Sequence, residues 1–426
     1  MSTARFDAEN RDAVHGGKKK MKKMGMFLAG ASALVALLAF LPSAVRAQVT
    51  DDVEIKLLKI GPIVDSDCTA KVYRPLQAAG EVSDQYLEMQ KSGKPSAQVA
   101  LYPGITIERD VSFGPDPKDV VDVFHADKGA GSRPVLIFVP GGIGNKIDIQ
   151  NKEANAFYDN IGRWAAENGM VGVTMQRHAQ APGSAPDFYA GGKDVAAMMK
   201  WVEENISKFH GNPNRMFIWA HSAGNGPLGV YTGHPELWGP KGIGVKGIIY
   251  LSGGFSILRP DGTNPVPPAP PASPSGFVAG ATCGATPATV NDGALPGKKV
   301  GQPGGPGAPA APAGAGGGGG RGGQQVAQDE LIKRSSLPAL EKTNAKIFLA
   351  SAELDPGIRD AKPSAFNQAL HDELCKLDGP NAKDGHGHCP VLMVMKRESH
   401  MSEVFSVDSA DKTVSAPILA WMKSIQ

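Results

Sequence analysis

Two kinds of hydrophobic pattern alternate along this chain. Short, uninterrupted apolar runs are typical of strands buried on both faces of a parallel sheet, and they alternate with stretches in which apolar residues recur every three or four positions, as in amphipathic helices. The predicted strands are Ile105–Phe113, Val120–Phe124, Pro134–Val139, Met170–Met175, Met216–Trp219, Val245–Leu251, Ala345–Ala350 and Val391–Met395. The predicted helices cover Glu153–Asn168, a stretch beginning at Asp194, Ala361–Leu377 and Val414–Ile425. The alternation predicts an α/β fold with a mostly parallel sheet and helices on both faces, and a functional site beyond the carboxyl ends of the strands.

Residues 259–328 interrupt this alternation. Gly301–Gln325 contains twelve glycines, four prolines and five alanines in twenty-five residues. Such a tract buries too little apolar surface to offset its chain entropy, so we predict a disordered low-complexity insert. The folded domain is then expected over 105–258 and 329–426, preceded by residues 48–104 as an N-terminal extension that packs on the core or forms a cap.

The N-terminus has the three parts of a secretory signal peptide. Lysines at 18–20 and 22–23 precede an apolar run from Met26 to Leu41. Val45-Arg46-Ala47 then has the small-x-small pattern of a cleavage site. The alternative, a transmembrane anchor, requires about 20 apolar residues, which is longer than this run. We predict removal of residues 1–47 and export to the periplasm or medium, with no membrane span in the mature chain.

Charge and cysteine content limit the possible partners. Residues 1–47 carry eight basic and three acidic residues, so their removal changes the formal net charge from +2 to −3. The mature chain therefore gives no indication of nucleic-acid binding.

Four cysteines allow three disulfide connectivities. Cys375 and Cys389 bracket a polar loop and are the favoured pair, whereas Cys68 and Cys283 are far apart in sequence. A zinc site is not expected because the chain has no C-x-x-C pair.

The most informative motif follows the strand that ends at Trp219. Ala220-His221-Ser222-Ala223-Gly224 has the small-x-Ser-x-Gly pattern of a nucleophile elbow, a strand-to-helix turn tight enough to require small residues two before and two after the serine. The turn raises the hydroxyl of Ser222 above the sheet. It also leaves the N–H of Ala223 free to stabilise an oxyanion, a negatively charged oxygen that forms during the reaction of such a serine. His221 occupies the variable position before the serine.

A serine nucleophile needs a base, and the base needs an orienting acid. Asp355 follows the Ala345–Ala350 strand and is the predicted acid, with Glu353 and Asp360 as alternatives. His400 follows the last strand and is the predicted base. The order Ser222, Asp355, His400 is that of one particular fold. His386 and His388 are interpreted as residues of a solvated loop rather than metal ligands.

Glycines after the third strand complete the predicted site. Pro140-Gly141-Gly142-Ile143-Gly144 follows Val139, and glycines allow a backbone to approach a substrate closely. We predict that the N–H groups of Gly142 and Ile143, with that of Ala223, stabilise an oxyanion.

With these residues, the chain resembles α/β-hydrolase-fold serine esterases of the feruloyl-esterase-like and hormone-sensitive-lipase-like branch. The matching stretches are 133–142, 194–197 with Trp201, 212–224, 353–356 and 399–402. The resemblance implies hydrolysis of carboxylic esters through an acyl-serine, a small-molecule ester as substrate, and neither cofactor nor metal. Three features depart from that branch: Pro140 stands where a histidine is usual, Pro227 lies in the helix after the elbow, and the 259–328 insert occupies the usual lid region.

Two other functions remain open from the sequence. An amidase or peptidase would use the same three residues on the same fold, because the triad does not distinguish esters from amides. A non-catalytic binding protein on a hydrolase scaffold is the alternative from a different class. An activated serine would separate both enzymes from the scaffold protein.

Overall fold

The computed structural model describes residues 43–62, 64–73, 76, 104–129, 131–142, 144–146, 157–178, 187–268, 327–356, 358 and 362–425. Ile143, Asp360 and Cys283 lie outside the described residues. So do most of the predicted signal peptide, residues 77–103 of the predicted extension, and residues 269–326 of the predicted insert.

The strands of the described chain form one sheet in the order β1-β2-β4-β3-β5-β6-β7-β8. β2 pairs antiparallel with both β1 and β4, and all other neighbouring pairs are parallel. The strands are β1 (Ile105–Ser112), β2 (Val120–Ala126), β3 (Arg133–Val139), β4 (Val171–Met175), β5 (Gly211–His221), β6 (Gly247–Leu251), β7 (Lys346–Ala352) and β8 (Val391–Met395). An eight-stranded, mostly parallel sheet whose second strand is antiparallel is the sheet of the α/β-hydrolase fold, as the sequence predicts.

The apolar runs are uninterrupted because both faces of the sheet are covered. Along β3, Val135 and Ile137 enter one hydrophobic cluster, whereas Leu136 and Phe138 enter the other. β3 lies between β4 and β5, so its last residue, Val139, pairs with Ala220 near the end of β5. The turn that follows β3 therefore begins beside the turn that follows β5.

Helices connect most strands and cover the two faces. They are α1 (Ser43–Ile60), α2 (Ser66–Tyr73), α3 (Asp159–Glu167), α4 (Ala190–Asn205), α5 (Asn225–Gly233), α6 (Gln328–Lys333), α7 (Leu337–Leu340), α8 (Ala365–Cys375), α9 (Ser402–Phe405) and α10 (Ser415–Ser424). None of the described helices combines the length and apolar character needed to cross a membrane.

Three helix starts differ from the sequence prediction by more than one residue. α3 begins at Asp159 rather than Glu153, since Phe157 and Tyr158 form a turn before it. α4 begins at Ala190, four residues before Asp194, and its first turn contains two glycines that the sequence pattern does not assign to a helix. A Cβ at Gly191 would lie 2.8 Å from Cγ of Pro227 on α5, so glycine allows the two helices to approach closely. α8 begins at Ala365 rather than Ala361, because the side chain of Ser364 caps it by accepting the N–H of Asn367 at 3.1 Å.

The described part of the N-terminal extension packs on the core. Val53, Leu57 and Ile60 of α1 and Tyr73 of α2 are buried in the hydrophobic cluster that also contains Phe405 of α9. The predicted cleavage site after Ala47 lies within α1.

The predicted disulfide between Cys375 and Cys389 is confirmed. It joins the last residue of α8 to the loop before β8. Cys68 is buried and disulfide-bonded as well.

Candidate active site

The nucleophile elbow forms where β5 ends. A 3₁₀ turn over Ser222–Gly224 leads directly into α5, and Ser222 has φ +53°, in the left-handed region that non-glycine residues rarely adopt. A Cβ at Gly224 would lie 2.4 Å from the carbonyl oxygen of Val139, so the close contact between elbow and β3 requires glycine there. The strained serine conformation and the required glycine are both properties of a nucleophile elbow.

The structure brings the three predicted catalytic side chains together from the ends of three strands. Nε2 of His400 lies 2.7 Å from Oγ of Ser222, and Nδ1 of His400 lies 2.7 Å from Oδ1 of Asp355. His400 is 8 % exposed and Asp355 9 %, so the histidine–carboxylate pair is largely shielded from water. With Nδ1–H donated to Asp355, Nε2 is free to accept the serine proton.

The alternative residues lie elsewhere. The carboxylate of Glu353 accepts the backbone N–H of Arg397 at 2.8 Å and the ammonium of Lys396 at 3.3 Å. His388 is exposed and its Nδ1 lies 3.2 Å from Asp378. Among the described candidates, Asp355 is the acid that contacts His400.

The glycine turn after β3 lies directly against the elbow. A Cβ at Gly141 would lie 2.9 Å from Cβ of Ser222, and Gly142 has φ +53°. Ala223, the residue after the nucleophile, is exposed in the 3₁₀ turn. Gly142 and Ala223 therefore lie in the two turns that face each other at this end of the sheet.

Arg177, two residues after β4, holds the glycine turn in shape. Its Nε donates to the carbonyl oxygen of Pro140 at 2.7 Å, and its Nη2 donates to the carbonyls of Gly141 at 3.2 Å and Gly142 at 3.0 Å. In a trans peptide the C=O and the following N–H point in opposite directions. By binding the carbonyl of Gly141, Arg177 thus turns the N–H of Gly142 to the opposite side of the loop.

The side chain of Arg177 is buried, and burial lowers the pKa of its guanidinium to about 10. The group remains protonated at neutral pH and makes charge-assisted hydrogen bonds to the loop. No local motif in the sequence marks Arg177, because its partners lie 35 to 37 residues earlier in the chain.

His221 binds the backbone of His400, the predicted base. Its Nε2 lies 2.8 Å from the carbonyl oxygen of His400 and donates to it, since a carbonyl only accepts. Burial, together with the neighbouring His400, lowers the pKa of His221 well below its usual range, so the ring is neutral. The sequence interpretation of His221 as a merely variable elbow residue is incomplete.

A buried carboxyl, Glu403, lies beside the same pair. Its Oε2 is 3.9 Å from Nε2 of His221. Burial raises the pKa of Glu403 well above its usual range, and the charge of Asp355 raises it further. Burial therefore favours the protonated, uncharged form of Glu403 beside Asp355.

The N-terminal segment also reaches the loop that carries His400. The hydroxyl of Tyr73 lies 3.0 Å from Oδ2 of Asp411 and 3.3 Å from Oε2 of Glu398. The carbonyl of Glu398 accepts the N–H of Leu354, the neighbour of Asp355, at 2.8 Å. Burial and the nearby Asp411 raise the pKa of Glu398 well above its usual range. Tyr73 therefore links α2 to the loops that carry both the acid and the base.

Among the described residues, one group of histidine and cysteine side chains has metal-ligand spacing, namely His371, Cys375 and Cys389. It shares no residue with the triad.

Comparison with known proteins points to esterases. The chain is 28% identical over 165 residues to the probable isoprenylcysteine alpha-carbonyl methylesterase ICMEL2 of Arabidopsis thaliana, covering 36% of each chain. It is 33% identical over 119 residues to fumonisin B1 esterase of Sphingopyxis macrogoltabida, covering 25% of this chain and 21% of that one. It is 28% identical over 137 residues to para-nitrobenzyl esterase of Bacillus subtilis, covering 30% and 26%. The chain thus spans about a third or less of the length of these curated relatives.

No protein-family model matches the chain. Among solved structures, carboxyl esterase 2 of Tuber melanosporum superposes with a TM-score of 0.45 at 13% identity, covering 80% of this chain and 98% of that one. A bacterial heroin esterase superposes with a TM-score of 0.44 at 16% identity, covering 76% and 86%. The assignment to the feruloyl-esterase-like and hormone-sensitive-lipase-like branch stays a prediction. By its sheet topology and its similarity to curated sequences, the chain is an α/β-hydrolase-fold protein that resembles carboxylesterases.

Proposed function

We propose that this protein is an exported serine hydrolase that cleaves carboxylic esters of small to medium size through an acyl-serine intermediate. The observation that carries the proposal is the pair of 2.7 Å hydrogen bonds that connect Ser222, His400 and Asp355 in line. This arrangement supplies a nucleophile, a base and an orienting acid without further components.

In the first half of the reaction, Oγ of Ser222 attacks the ester carbonyl and Nε2 of His400 takes the hydroxyl proton. The imidazolium then delivers that proton to the departing alcohol, which leaves an acyl group on Ser222. A water molecule, deprotonated by His400, hydrolyses the acyl-serine. Asp355 holds the imidazole in the required tautomer and stabilises its positive charge in both halves.

The negative charge on the tetrahedral oxygen needs donors fixed before the reaction. The N–H of Ala223 follows the nucleophile, and the N–H of Gly142 lies on the side of its loop away from Arg177. Together with the predicted donor Ile143, these groups would form the oxyanion hole. Because Arg177 is buried and already bound to three carbonyls, the loop requires little rearrangement in the transition state.

We propose esters rather than amides as substrates, because the curated sequences similar to this chain are named as esterases. Among them are a methylesterase and para-nitrobenzyl esterase. Ser222 is partly exposed and Ala223 is exposed in the described chain, which supports access from solvent.

Hydrolysis of p-nitrophenyl acyl esters from acetate to palmitate tests the proposed reaction. We expect turnover by the wild type that is highest on short chains and is absent in Ser222→Ala. Ser424→Ala is a matched control, because the hydroxyl of Ser424 only contacts the Trp421 carbonyl at the end of α10. Equal turnover by wild type and Ser222→Ala would contradict the mechanism. Turnover confined to anilide substrates would replace the esterase by the amidase alternative.

Export is the second part of the proposal and rests on the basic, apolar and small-residue order of residues 18–47. Expression of the full chain in a bacterial host, followed by intact-mass measurement of each fraction, tests it. We expect a periplasmic or secreted form that begins at Gln48. A full-length chain confined to the cytoplasm would contradict export.

A further inference from the structure

A compact group of donor atoms lies at the end of α8, apart from the triad. His371 and Cys375 are four residues apart on α8 and therefore share one face of the helix. Nε2 of His371 lies 3.3 Å from Sγ of Cys375 and 3.6 Å from Sγ of Cys389. The same nitrogen lies 3.0 Å from Oδ1 of Asp384.

The two sulfur–nitrogen separations correspond to the edges of a tetrahedral zinc site. Zinc binds sulfur at about 2.3 Å and imidazole nitrogen or carboxylate oxygen at about 2.0–2.2 Å, which sets neighbouring ligand atoms about 3.3–3.8 Å apart. The two sulfur–nitrogen distances fall in this range, and Sγ of Cys389 lies 4.0 Å from Oδ1 of Asp384. To bind one ion, the two sulfurs, joined in the disulfide, would have to separate. The carboxylate of Asp384 would also have to shift, since its Oδ1 lies 3.0 Å from Nε2 of His371 and 4.0 Å from Sγ of Cys389.

The surroundings of these donors are also those of a metal site. Nδ1 of His371 lies 3.0 Å from Oδ1 of Asp372, so Nδ1–H donates a hydrogen bond to a carboxylate and Nε2 is the nitrogen that faces the sulfurs. Metal-bound histidines are commonly oriented in this way.

The loop that carries Cys389 is held in place independently of the disulfide. The carboxylate of Asp378 accepts the N–H groups of His388 at 2.8 Å and Cys389 at 2.9 Å. Cys389 is buried, whereas Asp384 is exposed and is held by its contact with Nε2 of His371, which a metal ion between the two groups would replace. The loop therefore keeps Cys389 near α8 when the covalent link is broken.

We propose that reduction of the Cys375–Cys389 disulfide converts this cluster into a Zn²⁺ site with ligands His371, Cys375, Cys389 and Asp384. A dithiol supplies the two electrons: the Sγ–Sγ bond breaks, two thiols form, and the reductant becomes a cyclic disulfide. Zn²⁺ then binds both sulfurs as thiolates, with release of their two protons to solvent. Two of these ligands lie one helical turn apart and two lie in a loop. Because this pattern does not need a C-x-x-C pair, the absence of that pair does not exclude a zinc site.

The test compares the oxidised full-length protein with protein reduced by dithiothreitol and desalted under anaerobic conditions. Each sample receives Zn²⁺ for native mass spectrometry, or Co²⁺ for absorption spectroscopy, in which thiolate ligands produce charge-transfer bands. We expect one ion per chain with thiolate bands in the reduced protein and no specific ion in the oxidised protein.

Two variants identify the ligands. Cys375→Ser/Cys389→Ser removes both thiolates, and His371→Gln keeps both cysteines while weakening Zn²⁺ binding by at least about tenfold. His388→Gln is the matched control, since His388 lies in the same loop and is not a proposed ligand. The proposal is overturned when the reduced wild type binds no more metal than the oxidised protein, or when His371→Gln and His388→Gln bind equally.

Discussion

The imidazole of His221 donates a hydrogen bond to the backbone carbonyl of His400, with 2.8 Å between Nε2 and the oxygen. The residue that precedes the proposed nucleophile thus binds the backbone of the proposed base. The elbow and the loop that carries His400 are therefore joined twice, by the side chains of Ser222 and His400 and by the His221 side chain bound to the His400 carbonyl.

This relationship gives a pH-dependence to stability. His221 is buried and neutral in the folded chain, and its pKa lies well below the usual value. Below about pH 6.5 the unfolded chain binds a proton at this position and the folded chain does not, so stability falls as the pH falls. His221→Gln retains an amide donor for the His400 carbonyl but does not titrate. Urea unfolding between about pH 7 and pH 5 should show a slope shallower by up to about 1.4 kcal/mol per pH unit in the variant. Parallel profiles would contradict the assignment.

Arg177 is expected to act on catalysis through the glycine turn. Lysine is a compact point charge that cannot bridge three carbonyls as the guanidinium does. We expect Arg177→Lys to lower kcat by on the order of 100-fold while KM changes little, because the loop donors act mainly in the transition state.

Arg334→Lys is the matched control for Arg177→Lys, since Arg334 makes a surface ion pair with Glu330 one turn earlier on α6. Surface pairs of this kind contribute little to stability. Steady-state kinetics on one p-nitrophenyl ester separates the two variants. Equal kcat values would show that Arg177 does not position the loop.

Tyr73 is expected to matter for both stability and activity. Tyr73→Phe removes the hydroxyl shared by Glu398 and Asp411 and leaves buried carboxyl groups without that donor, which should cost about 1–3 kcal/mol. Because Glu398 also binds the backbone beside Asp355, we expect a lower kcat as well. Tyr231→Phe is the control: it loses one buried hydrogen bond, to the Ile243 carbonyl, and should lose stability with less effect on kcat. Equal kcat losses would contradict the positioning role of Tyr73.

The fold and the proximity of the three predicted side chains could both be predicted from the sequence because both depend on strand ends. Ser222, Asp355 and His400 each follow a buried apolar run, and parallel strands present their carboxyl ends at one edge of the sheet. Pro227 departs from the sequences that the chain resembles, and it is the third residue of α5. A backbone N–H at this position has no acceptor within the helix, so proline removes no helical hydrogen bond.

Arg177, Tyr73 and Glu403 could not be predicted in the same way. Their partners lie on other elements, and no local pattern marks a buried arginine that binds three carbonyls or a tyrosine that bridges two carboxyl groups. The start of α4 at Ala190 was missed for a related reason. Glycines there resemble loop residues in sequence, and only the contact with α5 explains them.

The central claim is that Ser222 is an activated nucleophile, and labelling with a fluorophosphonate tests it most directly. We expect one covalent adduct per chain, mapped by peptide mass spectrometry to Ser222, lost in Ser222→Ala and formed far more slowly in His400→Gln. A wild-type protein that stays unlabelled while folded, or that is labelled equally after replacement of His400, would contradict the claim.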